Sequence, residues 1–124
     1  MSEAKKDQVS VVSLKNQRVI ADKCQVADRF LARLRGLMGK KELSRGEGML
    51  LTPCNDIHMW FMRIPLDVVF LRRDSRGNWK VTSVHADLRP WKALPVRDRK
   101  ARSTLELPAG TIRQCEITVG DELC

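Results

Sequence analysis

The stretch Met49–Arg72, MLLTPCNDIHMWFMRIPLDVVFLR, concentrates most of the large apolar side chains of a 124-residue chain. The remaining elements must be built around it. A membrane span needs about 18 uninterrupted apolar residues, and Asp56, His58, Arg63, Pro65 and Asp67 break this stretch well before that. Two buried strands fit better. Ile57–Met62 and Leu66–Leu71 are apolar at successive positions, as strands of a sheet covered on both faces are. Arg63-Ile64-Pro65 is assigned to the connection, because a proline cannot donate to a central ladder.

Upstream, Val9–Leu14 and Arg18–Cys24 are expected to form a hairpin that turns at Lys15-Asn16-Gln17. Asp28 sits at an N-cap position ahead of Phe30, Leu31, Leu34 and Leu37/Met38, whose spacing predicts a helix over Asp28–Met38. Gly39 is its expected left-handed cap. Downstream, Trp79–Ala86 alternates as a half-exposed strand, and Thr104–Leu107 is a further strand ending at Pro108. Thr111 is placed to cap a single helical turn through Cys115, and Ile117–Val119 leads into a Gly120-Asp121 turn and Leu123.

The pattern Gly48–Leu51 (GMLL) followed by His58–Leu71, H-x-x-F-M-x-x-P-L-D-V-x-F-L, resembles the prokaryotic family known as domain of unknown function 192. Arg35-Gly36-Leu37-Met38 before it, and Leu105-Glu106-Leu107-Pro108-Ala109-Gly110 and Val119-Gly120-Asp121 after it, extend the likeness over roughly Val9 to Leu123. The resemblance implies a compact, β-rich domain with barrel-like character. It carries over no reaction and no catalytic residue.

A chain of this length buries roughly two-thirds of the surface its unfolded form exposes, enough for a single core. The expected architecture is an α+β, β-rich single domain over residues 9–124, preceded by a mobile N-terminal tail over 1–8. Its strongly bent, mostly antiparallel sheet closes into a small barrel, with one short helix packed across it and a short C-terminal helical turn. The opening residues, MSEAKKDQVSVVSL, contain no apolar segment of signal-peptide length, so a cytoplasmic protein is expected. Cys24, Cys54, Cys115 and Cys124 form no C-x-x-C pair and are read as free thiols in a reducing compartment.

The formal charge of +8 is concentrated: Arg72–Ser103 holds ten Lys/Arg against three Asp/Glu. Arg89, Lys92, Arg97, Arg99 and Lys100 surround Trp91, and such a basic loop with an interleaved indole suits single-stranded nucleic acid or another polyanion. The bland alternative is a solvated loop whose Trp91 plugs the core.

Cys54 and His58, four residues apart, invite two sharper readings. With Cys24 or Cys115 they would form a zinc site, although no second pair stands at ligand spacing. With Asp67 as orienting carboxylate and His58 or His85 as base, Cys54 would be a thiol nucleophile. His58, Arg63 and Asp67 also read as polar groups of a ligand pocket, or as a structural Arg63–Asp67 ion pair beside a hydrogen-bonded histidine. Glu106 is a fourth candidate, pointing away from Leu105 and Leu107. Taken together the residues favour a non-enzymatic binding module for an anionic ligand, nucleic acid first, with no metal and no cofactor. A small thiol-dependent or hydrolytic enzyme and a protein-interaction scaffold are the alternatives.

Overall fold

The computed structural model describes residues 8–28 and 36–124. Nine strands run in the order β1 (Gln8–Val12), β2 (Val19–Ala27), β3 (Glu47–Leu51), β4 (Asp56–Ile57), β5 (Leu66–Arg73), β6 (Trp79–Leu88), β7 (Val96–Arg97), β8 (Ser103–Pro108) and β9 (Glu122–Leu123), with one short helix, α1 (Thr111–Cys115), before β9. The tail expected over 1–8 lies outside the described residues except for Gln8, which opens β1. The helix expected over Asp28–Met38 falls mostly on 29–35, also outside them. Residues 36–39 form a turn, with Gly36 and Gly39 both at positive φ.

Seven strands form one sheet in the order β1-β2-β3-β8-β5-β6-β9, antiparallel except for the parallel β2–β3 pair. The two ends meet. Val12 and Cys124 exchange backbone hydrogen bonds of 2.9 and 3.0 Å, and Ser13 bridges Leu123, so β9 is shared between β6 and the end of β1. That contact gives the sheet its nearly closed, barrel-like form and covers what would be exposed edges. Among the described residues no helix is long and apolar enough to cross a membrane.

Strand β5 explains why the apolar stretch dominates the sequence. It lies between β8 and β6, and its first six residues are buried. Val69 and Leu71 join the barrel core with Ile20, Leu50, Val81, Leu105, Leu107, Ile112 and Leu123. Leu66, Val68 and Phe70 point the other way, into a second cluster with Leu37, Ile57, Met59, Met62 and Ala101. The period of two thus feeds two cores from one strand. Strand β8 is buried along all six residues. Beside it Gly48 leaves room for close strand approach, since a Cβ there would lie 3.1 Å from both the Glu106 carbonyl oxygen and Leu107 Cδ2.

The first of the two expected central strands does not form as such. Only its first residue, Ile57, is in a strand, in β4, which pairs with β7 in a separate two-stranded sheet. Beyond it the chain turns, with the Met62 N–H on the Met59 carbonyl at 3.2 Å and Phe61 at φ 65°. Met59 and Met62 dive into the second core while Trp60 and Phe61 face outward. Three-residue spacing of the buried methionines is turn geometry, which a continuous apolar run conceals.

The expected Arg63–Asp67 ion pair is also absent. Asp67 is 1% exposed, and its carboxylate accepts backbone N–H groups of Asp87 (2.8 Å), Gly110 (3.1 Å) and Ile112 (2.8 Å), while Arg63 is exposed. Asp87 lies in a bulge opposite Asp67, at φ 55°. The carboxylate therefore satisfies donors that ladder and helix leave over, at the point where β5, β6 and α1 meet. Helix α1 has Gly110 as its N-cap, and the Thr111 hydroxyl donates instead to the Pro108 carbonyl. Asp67→Asn replaces one acceptor oxygen with a donor facing N–H groups, and the expected loss is about 2–3 kcal/mol in urea unfolding; a change within 0.5 kcal/mol would contradict this role.

Candidate functional site

On the second-core side of β8 a cavity of about 110 Å³ opens between the end of β3, the segment from Cys54 to Met62, and the turn at Gly36–Met38. Leu37, Met38, Leu51, Ile57 and Met62 supply apolar walls, and Cys54, Asp56, His58 and Glu106 supply the polar atoms. The walls are held by backbone contacts: the Gly39 N–H donates to the Phe61 carbonyl at 3.0 Å, and the Trp91 N–H to the Met59 carbonyl at 2.7 Å.

Glu106 is the chemically unusual member. Strand alternation sends Leu105 and Leu107 into the barrel and leaves Glu106 facing the cavity, 5% exposed, with Oε1 buried and without a hydrogen-bond partner. Burial penalises the charged form and pushes its pKa up to about 7. His58 is similar, with Nδ1 buried and unpartnered while its ring stacks on Trp60, centroids 5.0 Å apart. The Cys54 thiol donates to the Asp56 carbonyl at 3.4 Å, and its backbone is pinned by Arg102 and Thr104.

Cys54 and His58 thus line one cavity, but Asp67 is not with them; its oxygens are committed to backbone N–H groups. The expected Cys54–His58–Asp67 constellation is not assembled. His85, the alternative base, lies edge-on to Phe70 at 5.5 Å; burial lowers its pKa, opposed by the charge of Asp98. Cys24 and Cys115 belong to the barrel core, whereas Cys54 packs against the second, so the thiols a zinc site would need are on different faces. Cys24 is deeply buried, which raises its pKa to about 12.

An aromatic rim adjoins the cavity at His58. Trp60, Phe61 and Trp91 are 41%, 59% and 58% exposed. The Phe61 and Trp91 rings meet at 4.8 Å, and the Trp60 indole N–H donates to the Ala93 carbonyl at 3.2 Å. Phe61 and Trp91 both hold positive φ, unusual for bulky residues. Trp91 is therefore no core plug. Around it Arg89, Lys92, Arg97, Arg99 and Lys100 are all exposed. Arg89 pairs with Asp87 at 3.3 Å, and Arg97 Nε and Nη2 both contact Asp56 Oδ2, at 3.1 and 2.7 Å. Asp98 anchors the loop by accepting the Thr82 and Ser83 hydroxyls; with the Lys100 contacts, these outweigh burial and lower its pKa.

Residues 11–124 match the DUF192 family, described as an uncharacterized ACR, COG1430. The chain belongs to the DUF192 family. It is 35% identical over 104 residues to the UPF0127 protein TK1120 of Thermococcus kodakarensis, a match covering 80% of this chain and 62% of that relative. Its fold is similar to that of a protein of unknown function from Novosphingobium aromaticivorans DSM 12444, with a TM-score of 0.79, 24% identity and coverage of 94% and 83% of the two chains. A candidate transcription regulator from Sinorhizobium meliloti 1021 is similar at a TM-score of 0.78 and 23% identity, over 94% and 91%.

The separate stretches that carry the family resemblance converge here. Gly36 to Met38, Leu51, His58 with Met62, and Glu106 all line the one cavity. Sequence reasoning ranked Glu106 last among its candidates and took Trp60 and Phe61 for core. The available signals were a lone acid in an otherwise apolar strand and a Trp-Phe pair bracketed by methionines three apart.

A carboxyl whose pKa rises from 4.5 in the unfolded chain to about 7 in the native state binds its proton more tightly when folded. Stability is unaffected below the unfolded value, falls as pH rises from about 4.5 to 7, and stays lower above, by on the order of 3 kcal/mol. Glu106→Gln removes that fall, so the variant is expected to gain on the natural protein as pH passes from 4 to 8. Parallel unfolding curves across this range would contradict it.

Proposed function

We propose that this DUF192 chain is a non-enzymatic binding module for single-stranded nucleic acid, with the aromatic rim and the basic loop as its surface. The observation that carries the reading is the outward-facing Phe61–Trp91 pair beside Trp60, set among the cations at Arg89, Lys92, Arg97, Arg99 and Lys100. Solvent-exposed rings offer stacking faces to any base, and nearby cations follow the phosphates. Two of the arginines also bond to Asp87 and Asp56, which sets their guanidinium groups in place and reduces their net positive contribution. Lys92, Arg99 and Lys100 then supply most of the field.

A thiol-dependent reaction is the second reading, favoured by Cys54 and His58 sharing a cavity. It requires a reactive thiolate. Alkylation of Cys54 much faster than of a peptide thiol at neutral pH would support it.

The binding reading predicts that affinity for a short single-stranded oligonucleotide falls steeply with salt. Changing Lys92, Arg99 and Lys100 to Ala should flatten the slope of log K against log salt by about 1 per lost phosphate contact. Phe61→Ala with Trp91→Ala should cost about 1–3 kcal/mol per unstacked base. No binding even at low ionic strength would overturn the reading.

A further inference from the structure

We propose that the Glu106 cavity reads one nucleobase of the bound strand by its edge, selecting cytosine or adenine over thymine or uracil. This rests on the nucleic-acid reading above and adds to it a specificity site that the basic loop cannot provide.

The cavity suits a flat heterocycle. A closed cavity of about 150 Å³ takes a benzene ring, and this one, at about 110 Å³ but open on one side, is on the scale of a single six-membered ring. Leu37, Met38, Leu51 and Met62 offer apolar and thioether surfaces to the faces of such a ring. The His58–Trp60 stack leads from the cavity to the exposed rim, so a strand stacked on Phe61 and Trp91 has a neighbouring base close to the opening.

The polar lining then decides which base. No Lys or Arg is among the lining residues, so the cavity is unsuited to phosphate, which stays outside on the basic loop. Glu106 is nine-tenths buried with Oε1 unpartnered, and the Cys54 thiol hydrogen is already engaged on the Asp56 carbonyl. A carboxyl that keeps its proton near neutral pH, as burial makes Glu106 do, presents one O–H donor and one C=O acceptor side by side. That pair is complementary to an amino group next to an unprotonated ring nitrogen. Cytosine carries this edge at N4 and N3, and adenine at N6 and N1. Thymine and uracil place carbonyls on either side of an N–H and cannot form the same pair. His58 Nδ1 is a further buried atom free to bond the base.

The test compares binding of short oligo-dC and oligo-dT to the full chain at low salt, by fluorescence anisotropy, in the natural protein, Glu106→Gln and Glu106→Leu. Comparing two pyrimidines keeps stacking nearly constant. The natural protein should prefer oligo-dC by about 5- to 100-fold, the range of a good bidentate base contact. Glu106→Gln keeps one donor and one acceptor and should retain the preference. Glu106→Leu should abolish it while binding oligo-dT as the natural protein does, which also controls for folding. Equal binding of the two oligonucleotides by the natural protein, or an oligo-dC preference that survives Glu106→Leu, would overturn the edge-reading proposal and leave the binding reading standing. Failure of both oligonucleotides to bind would overturn the binding reading itself, and this inference with it.

Discussion

Strand β8 is covered on both faces, and the rest of the molecule follows from that constraint. It runs between β3 and β5, every residue from Ser103 to Pro108 is buried, and a strand must present alternate side chains to both faces. Leu105 and Leu107 complete the barrel interior. Glu106 is then forced to the opposite face, where the second core leaves it a cavity and no counter-charge. A leucine there would be easier for a folding chain to accommodate, because an unpaired buried carboxyl loses solvation without compensation.

Asp67, one strand over, shows how the same fold treats a carboxylate with a structural task. It is buried as deeply as Glu106, yet three backbone N–H groups converge on it from the β6 bulge and the start of α1. Two acids on adjacent strands therefore sit in opposite electrostatic situations. One is saturated with donors, and the other is left open towards a cavity. Environments that separate like groups in this way are found where one of them does chemistry or binding.

Much of the barrel was legible in the sequence. Period-two alternation and turn residues mark β1, β2, β5 and β8, and the short helix before β9 follows from Thr111 to Cys115. The stretch from Ile57 to Met62 misled because a buried turn and a buried strand are equally apolar; only the outward Trp60 and Phe61 distinguish them. The Asp67 partners were not legible either, since backbone donors on a bulge and a helix start leave no residue-type signature. Charge clustering pointed to the basic loop and Trp91, but pairing of Arg97 with Asp56 depends on β4 meeting β7, a contact that local pattern does not encode. Glu106 was visible as a polar break in an apolar strand, and its isolation emerged only when the cavity was assembled from four separate segments.

The account stands on Glu106 being held dry and unpaired. The most direct measurement is the titration of its side-chain carboxyl carbon by NMR in the folded protein. A midpoint near 7, well above the ordinary 4.5, is the expected result. A midpoint at the ordinary carboxylate value would mean that the group is solvated or paired, and would contradict the account.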